Sequence, residues 1–180
     1  MDLFTYYFNR RTKFCEIFHL SGGIELDIFR VSFIGHRVVD EYRQVEEELD
    51  EVIELLHRKY GFIDFNVGRN GEFDELATQA VRRFRREWEE WCELTLVEPY
   101  PVANLDIIEK AYDSVIIPTD RKCHYKAAIR ERNKWLAENC DMMIVYIKRD
   151  YGGAYKCYKH AQELGVPIMN IADNIKNQEW

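Results

Sequence analysis

The sequence predicts an α/β protein in which helices cover both faces of a mainly parallel, doubly wound sheet. Two observations support this fold class. From residue 28 onward, short runs rich in β-branched and aromatic residues alternate with longer segments whose apolar residues recur at spacings of three and four. Glycine or proline stands at most junctions between these segments. The alternation is typical of consecutive βαβ units, since parallel strands need a crossover between them.

Six segments are predicted to be strands. The fifth of them, DMMIVYI, is nearly continuous in apolar residues and is therefore expected to be buried on both faces of the sheet. The predicted strands are residues 28–34, 62–65, 94–97, 114–117, 141–147 and 166–171.

Five segments are predicted to be helices. In the first, Val45, Leu49, Val52 and Leu56 form one apolar stripe, and Gly61 ends the pattern. The predicted helices are residues 41–59, 73–88, 105–111, 126–139 and 155–164.

The two ends of the chain do not follow this rhythm. The runs LFTYYF and KFCEIFHL are strand-like and flank the polar tetrapeptide NRRT, so residues 1–27 are predicted to form a β-hairpin extension. Residues 28–174 form the predicted ligand-binding domain. Residues 175–180 are predicted to be a polar tail.

Composition limits the partners that we expect. The chain has 180 residues, 47% of them hydrophobic, which suffices for one domain with a sizeable core. Its formal net charge of -7 argues against the broad basic surface that duplex DNA or an anionic membrane requires. We therefore expect no direct binding of duplex nucleic acid and no membrane association. Any anion site must be a local pocket.

Cysteine usage and apolar runs bear on the location. The five cysteines are odd in number and scattered, with no CxxC pair, which indicates reduced thiols in a cytoplasmic protein. Charged residues interrupt the first thirty residues, unlike a secretory signal, and no apolar run approaches the ~20 residues of a membrane span. The expected location is the cytoplasm.

Candidate site residues follow the predicted strands. In an open parallel sheet, ligands bind at the carboxyl ends of the strands, where loops run into helix N-termini. Four such loops contain arginine and three contain glycine, although the chain as a whole is acidic, so a bound anion is expected at this edge. The residues are Gly35, His36 and Arg37 after the first strand, Gly68, Arg69, Asn70, Gly71 and Glu72 after the second, Thr119, Asp120 and Arg121 after the fourth, and Arg149, Asp150, Gly152 and Gly153 after the fifth.

The stretch from Gly68 to Gly71 has two interpretations. Glycine and Asn70 beside the unpaired N–H groups of a helix start are suited to binding a phosphate. A plain strand-to-helix turn explains the same residues. His36 and the pair Gly152-Gly153 likewise admit a structural role as well as a ligand contact.

Arg132 is predicted to face the sheet. It lies four residues after Ala128 on the apolar stripe of its helix, and a charge on that face needs a partner. Either an internal carboxylate or a ligand phosphate would serve.

Several enzyme and metal signatures are absent from the sequence. There is no GxSxG, HExxH, GxxxxGK or GxGxxG motif. Cys123-His124 and the helical pair Cys157 and His160 have ligand chemistry but no matching second pair, so we expect no metal site.

An ordered set of motifs resembles a known family. The set comprises FIGHR, GxxGEFDELA, EPYP, YKAAIRERNKWLAENCDMMI and YGGAYKCYKHA. It is similar to the YpsA-like branch of the SLOG superfamily, which also includes the LOG and DprA proteins. The resemblance implies a Rossmann-like fold, here a three-layer sandwich, that binds a nucleotide or nucleotide-derived ligand.

The resemblance implies which residues bind the ligand. They are Gly35, His36 and Arg37 in the first loop, Gly68, Gly71 and Glu72 in the second, the pair Arg132 and Asn133, and the pair Gly152 and Gly153. Its position beside the helix start adds Asn70 to these candidates. It implies no required cofactor besides the bound nucleotide-like ligand, and we expect a homodimer or higher homo-oligomer.

Three functions are consistent with this site. The first is a module that senses or sequesters a nucleotide derivative. The second is an enzyme that hydrolyses a nucleotide N-glycosidic bond, with Glu72 or Asp74 as the catalytic carboxylate. LOG enzymes, however, have a PGGxGTxxE pattern where this chain has YGGAYKCYK and no glutamate. The third is an interaction protein with a vestigial site.

Overall fold

The computed structural model describes residues 28–101, 105–108, 110–119 and 123–175. The predicted N-terminal hairpin and all but the first residue of the predicted tail lie outside the described residues. In chain order the elements are β1 (Phe29–Gly35), α1 (Tyr42–Tyr60), β2 (Ile63–Val67), α2 (Glu72–Trp88), a 3-10 turn (Glu89–Trp91), β3 (Cys92–Val97), α3 (Leu105–Ile108), β4 (Ser114–Ile116), α4 (Tyr125–Glu138), β5 (Met142–Tyr146), α5 (Gly152–Glu163), β6 (Ile168–Asn170) and α6 (Ile171–Asn174).

The six described strands form one sheet in the order β4-β3-β2-β1-β5-β6, and every neighbouring pair is parallel. The predicted Rossmann-like α/β fold is thus confirmed. The chain builds the sheet outward from β1 in one direction and then returns to add β5 and β6 on the other side. The loops after β1 and β5 therefore meet at the topological switch point, where doubly wound sheets bind ligands.

One face of the sheet carries the larger apolar core. Here α1 and α2 pack against alternate residues of the central strands, among them Val31, Phe33, Phe65 and Leu96, all fully buried. The period-two alternation of strand side chains places these residues on one face. Burial of side chains of this size contributes roughly 1.5–3 kcal/mol each, so this face is the main source of stability.

The opposite face, which packs against α4 and α5, contains a row of buried polar side chains. Ser32, Asn66 and Thr95 lie side by side on β1, β2 and β3, each at most 2% exposed. Thr95 Oγ1 donates a hydrogen bond of 2.8 Å to Asp64 Oδ1. Apolar residues from α4, α5 and β5, such as Leu136 and Met143, form a separate, smaller core on this face.

Three helices differ from the prediction. α3 ends at Ile108, three residues before the predicted end at Ala111. α5 begins at Gly152, three residues before the predicted start, with Gly152 at φ 94° and Tyr151 extended as its N-cap. Two glycines have low helix propensity, so periodicity alone assigns them to a loop. The short helix α6 replaces the end of the predicted last strand and was not predicted. A four-residue helix is too short to produce a recognisable pattern.

Two further observations concern membranes and thiols. In the part of the chain that the structure describes, no helix combines the length and apolar character needed to cross a bilayer. The four cysteines in these ranges, Cys92, Cys123, Cys140 and Cys157, are free.

Candidate functional site

The exit of β2 brings together charged side chains from two helices. Gly68 is the first residue after β2, and a Cβ atom there would lie 2.7 Å from Arg132 Nη1 and 2.7 Å from Asp74 Oδ2. Because Gly68 has no side chain, an arginine from α4 and an aspartate from α2 can both approach the end of the strand. We call this group, together with Glu98, the β2-exit cluster.

Arg132 faces the sheet, as predicted, and is only 4% exposed. Its buried Nε and Nη1 atoms have no hydrogen-bond partner. Asp74 and Glu98 interact electrostatically with this guanidinium. These carboxylates balance its charge without accepting hydrogen bonds from Nε or Nη1. A buried charge with unpaired donors is costly, so this geometry favours an additional acceptor at the site.

The two carboxyl groups of the β2-exit cluster are buried. Burial raises the pKa of Asp74, against the opposing effects of Arg132 and of the Asn70 N–H, which donates a 2.9 Å hydrogen bond to Asp74 Oδ2. Burial also raises the pKa of Glu98, and its ion pair with Arg69 opposes that rise. The cluster therefore combines two carboxyl groups that resist ionisation with two arginines.

The start of α2 is occupied by internal hydrogen bonds. Glu72 Oε2 accepts a 2.7 Å hydrogen bond from the Val39 N–H, and the Glu72 N–H donates to the Arg37 carbonyl at 2.9 Å. A Cβ atom at Gly71 would lie 2.9 Å from Arg37 Cα, so Gly71 allows the loop after β1 to pack against the helix. In the structure Gly71 allows close packing, and Glu72 holds the loop after β1 through the Val39 N–H. A phosphate contact at Gly71 and catalysis by Glu72 or Asp74 stay predictions.

At the switch point, the loops after β1 and β5 are bonded to each other. His36 Nε2 accepts hydrogen bonds of 3.1 Å from both the Lys148 and Arg149 N–H groups. Tyr146 donates its hydroxyl proton to Glu41 Oε2 at 2.7 Å, and Lys148 forms an ion pair with Glu41. We call these residues the switch-point clip.

The start of α5 lies against Asn133, which is 8% exposed. Asn133 Nδ2 donates to the Gly153 carbonyl at 3.4 Å, whereas Oδ1 is buried and has no hydrogen-bond partner. The first turn of α5 contains no acidic residue, unlike that of α2. Since acidic side chains at a helix start compete with a bound anion, α5 is better suited to hold one than α2.

The buried thiols are not nucleophiles at neutral pH. Burial raises the pKa of Cys92 and of Cys157 to about 12 and that of Cys140 to about 11. Only the thiolate is reactive, so these raised pKa values make the three thiols poor nucleophiles at neutral pH.

The loop after β4 is described only in part. Thr119 donates its hydroxyl proton to the Pro99 carbonyl, whereas Asp120 and Arg121 lie outside the described residues. The other predicted residues lie on the loops and helices of the carboxyl edge. Glu98, Ser32 and Asn66 were missed. Glu98 could have been found as an acidic residue directly after an apolar strand.

A polar cavity of about 360 Å³ lies elsewhere, near the amino ends of the strands. Arg30, Glu93 and Asp141 are among its lining residues. It does not include Arg132 or Gly68. We place the candidate site at the carboxyl edge because the unpaired buried atoms of Arg132 and Asn133 are there.

No family model matches the sequence, and no curated protein matches it. Solved structures do match. The chain shares its fold with DNA processing protein A. The protein from Streptococcus pneumoniae aligns with a TM-score of 0.59 and 20% identity over 79% of this chain. The protein from Helicobacter pylori, whose structure addresses its binding of single-stranded DNA, aligns with a TM-score of 0.55 and 16% identity over 78% of this chain. The alignments span 50% and 63% of those proteins.

These comparisons correct the expectation about partners. We expected a nucleotide-derived small molecule and self-association, and from the acidic net charge we expected no direct binding of duplex nucleic acid. A protein of the same fold binds single-stranded DNA, so excluding nucleic acid was wrong. The physical reason is that single strands need a local groove and stacking surfaces rather than a broad basic face. Net charge over a whole chain does not measure such a groove.

Proposed function

We propose that this chain binds the phosphate of a nucleotide at the β2-exit cluster, with Arg132 as its charged partner. The observation that carries the proposal is the buried guanidinium with unpaired Nε and Nη1 atoms. A guanidinium presents its N–H groups as a planar fork that matches two phosphate oxygens. A phosphate would supply the acceptors that Asp74 and Glu98 do not.

The charges around Gly68 also suit one phosphate. Arg37 and Arg132 act on Asp74, while Arg69 pairs with Glu98. Three arginines thus interact with two carboxyl groups whose pKa values burial raises. Among these five groups the arginines outnumber the carboxyl groups, so their summed charge is positive, as expected for a phosphate site in an otherwise acidic chain.

The phosphate belongs either to a free nucleotide or to a nucleotide within a single strand. Tyr100, Tyr125 and Tyr151 are 42%, 55% and 63% exposed. They lie after β3, at the start of α4 and after β5, all toward the carboxyl edge, and bases can stack on such rings. The Helicobacter pylori protein of the same fold binds single-stranded DNA. Both sources share the phosphate chemistry, and experiment can distinguish them.

The function proposed is binding without turnover, by a domain covering residues 28–174. Glu72 and Asp74, the two carboxylates considered for catalysis, accept hydrogen bonds from backbone amides. The predicted contacts at Gly152 and Gly153 belong to the same proposal, which gives Gly35 and His36 structural roles at the switch point. Membership of the YpsA-like branch of the SLOG superfamily also belongs to this proposal.

Binding can be measured by calorimetry with two probes, adenosine monophosphate and a single-stranded oligothymidylate of about ten nucleotides. Arg132→Met keeps an apolar stem and removes the fork. We expect it to weaken binding about 10- to 100-fold, since a hydrogen bond to a charged group contributes about 1.5–3 kcal/mol. Arg130→Met is the control, because Arg130 is exposed on the same helix and its loss changes the net charge equally.

The outcomes separate the alternatives. Binding of the oligonucleotide alone, with a steep salt dependence, assigns the phosphate to a nucleic acid strand. Binding of the monophosphate alone assigns it to a free nucleotide. Equal affinities for Arg132→Met and Arg130→Met, in variants whose unfolding midpoints show that they fold, would refute the proposed site. Failure of the unmodified protein to bind both probes would also refute the proposed site.

A further inference from the structure

His36 holds the loop after β5 through one ring nitrogen. Its Nε2 atom lies 3.1 Å from the N–H of Lys148 and 3.1 Å from that of Arg149. Both contacts are donated by the backbone, so Nε2 carries no proton and the imidazole is neutral, with its proton on Nδ1. Two consecutive amides converging on one acceptor form a geometry that otherwise binds anions. Here a side chain from the neighbouring loop fills it.

Charged groups from every adjacent element face this histidine. Lys148 and Arg149 come from the bonded loop, and Asp40 and Glu41 precede α1. Lys148 forms an ion pair with Glu41. Asp40 Oδ2 lies 4.0 Å from Lys148 Nζ and 3.9 Å from Arg149 Nη2. Tyr146 on β5 presents its ring edge-on, with the ring centroids 6.3 Å apart.

We propose that His36 is a pH-sensitive positioning residue, whose neutral ring holds the β5–α5 loop and the start of α5 in the arrangement that the structure shows. Protonation of Nε2 would place an N–H group opposite two other N–H groups. Both hydrogen bonds would then be lost. The loop would lose two attachments to the segment after β1 and would keep the ion pairs of Lys148 with Glu41 and of Arg149 with Asp40.

The direction of the pH effect follows from the surroundings of the ring. Burial lowers the pKa of His36, Arg149 lowers it further, and Asp40 opposes them. A histidine whose folded-state pKa is lowered favours folding in its neutral form. The stabilisation is therefore complete above the ordinary value of about 6.5 and is lost as the pH falls below it.

Loop position affects the proposed site through α5. Gly152 and Gly153 follow the loop directly, and Asn133, next to Arg132 on α4, donates to the Gly153 carbonyl. Release of the loop therefore moves the start of α5 relative to Asn133. This part of the inference rests on the proposed function, whereas the loop bonding itself does not.

Amide hydrogen exchange of Lys148 and Arg149, measured by NMR and expressed as protection factors at pH 5.5 and 7.5, tests the loop bonding. In the unmodified protein we expect protection to be lower at pH 5.5 by up to about tenfold, because a released imidazole with a pKa of about 6.5 gains at most that factor between the two pH values. His36→Gln places an amide oxygen near the Nε2 position and does not titrate, so protection should persist at both pH values. In His36→Ala, the amides of Lys148 and Arg149 should be unprotected at both pH values. His160→Gln, a histidine on α5 outside the clip, is the control and should behave as the unmodified protein.

Equal protection at the two pH values in the unmodified protein, or full protection in His36→Ala, would overturn the inference. A second measurement is oligothymidylate affinity, since its phosphodiesters do not titrate in this range. We expect affinity to fall at pH 5.5 in the unmodified protein but not in His36→Gln. If the oligothymidylate affinity does not depend on pH while the protection of Lys148 and Arg149 does, His36 does not position the ligand site. Absence of oligonucleotide binding with pH-dependent protection would instead count against a strand as the ligand in the proposed function.

Discussion

The switch-point clip and the β2-exit cluster lie at the same edge of the sheet and differ in how their polar atoms are paired. In the clip, His36 and Tyr146 each bind groups from the facing loop. In the β2-exit cluster, Arg132 is as deeply buried as many core residues, and its Nε and Nη1 atoms have no hydrogen-bond partner. The position where doubly wound sheets often bind ligands is thus bridged by internal bonds. The neighbouring position, at the exit of β2, has the buried Arg132 donors without acceptors.

This difference teaches how to separate structural from functional polar residues. Natural proteins pair most buried polar groups, so each unpaired one calls for an explanation, and a ligand that completes the pairing is one of them. Removing a residue of the clip should therefore reduce stability. Removing Arg132 should reduce binding with much less effect on stability. Three further predictions test this contrast, beginning with the largest expected effect.

Glycine substitutions at the exits of β1 and β2 should affect different properties, stability at Gly35 and ligand binding at Gly68. A Cβ atom at Gly35 would lie 2.5 Å from ring atoms of the fully buried Phe73. We expect Gly35→Ala to destabilise the protein by about 1–3 kcal/mol, as overpacking does. At Gly68 the nearby atoms are the ends of the Arg132 and Asp74 side chains, which can shift. Gly68→Ala should cost less than about 1 kcal/mol and weaken nucleotide binding. Urea unfolding and calorimetry measure both, and a greater destabilisation by Gly68→Ala would contradict the contrast.

Tyr146→Phe should have an intermediate effect. It removes the hydroxyl that donates to Glu41 and accepts a 3.3 Å hydrogen bond from the Asp40 N–H. We expect a loss of about 1 kcal/mol in the free energy of unfolding, the usual contribution of a hydrogen bond. Glu41 keeps its ion pair with Lys148, which limits the loss. Unchanged stability would show that the clip is not a stabilising unit.

Asp74→Asn should have the smallest effect on stability, and its direction depends on pH. Asparagine keeps the side-chain volume and an oxygen that can accept from the Asn70 N–H. Because burial raises the pKa of Asp74, its protonated form favours folding. That contribution is complete below the ordinary aspartate pKa of about 3.9 and is lost as the pH rises through the folded-state value. The unfolding free energy should therefore depend less on pH in Asp74→Asn, as urea titrations between pH 4 and 7 would show. An unchanged pH dependence would contradict this assignment.

Much of the fold could be predicted from the sequence because local patterns reflect it directly. The apolar stripe of α1 and the continuous run of β5 each depend on neighbours within one element. The inward direction of Arg132 followed from its spacing to Ala128. Such spacing is a property of one helix, so no long-range information was needed.

The details of the site could not be predicted in the same way, because they depend on contacts between distant segments. Glu98 and Arg69 are separated by 29 residues, and His36 and Lys148 by 112. Nothing in the sequence near His36 indicates that its acceptor is already occupied. Asn66 was not placed in the sheet, since the predicted second strand ended at Phe65 whereas β2 runs to Val67. Its unpaired amide became visible only when β1 and β3 were placed beside it.

The row of Ser32, Asn66 and Thr95 has a consequence for folding. Side chains of a strand alternate between faces, so a one-residue slip of β2 against its neighbours would turn Asn66 toward Val31, Phe33 and Leu96. The slip would also turn Asp64 toward that face and break the 2.8 Å hydrogen bond that it accepts from Thr95 Oγ1, and burying a polar group without its partner costs roughly 1–3 kcal/mol. The polar row therefore penalises misaligned strand pairing, and it helps to select one register from the several that the apolar residues alone would allow.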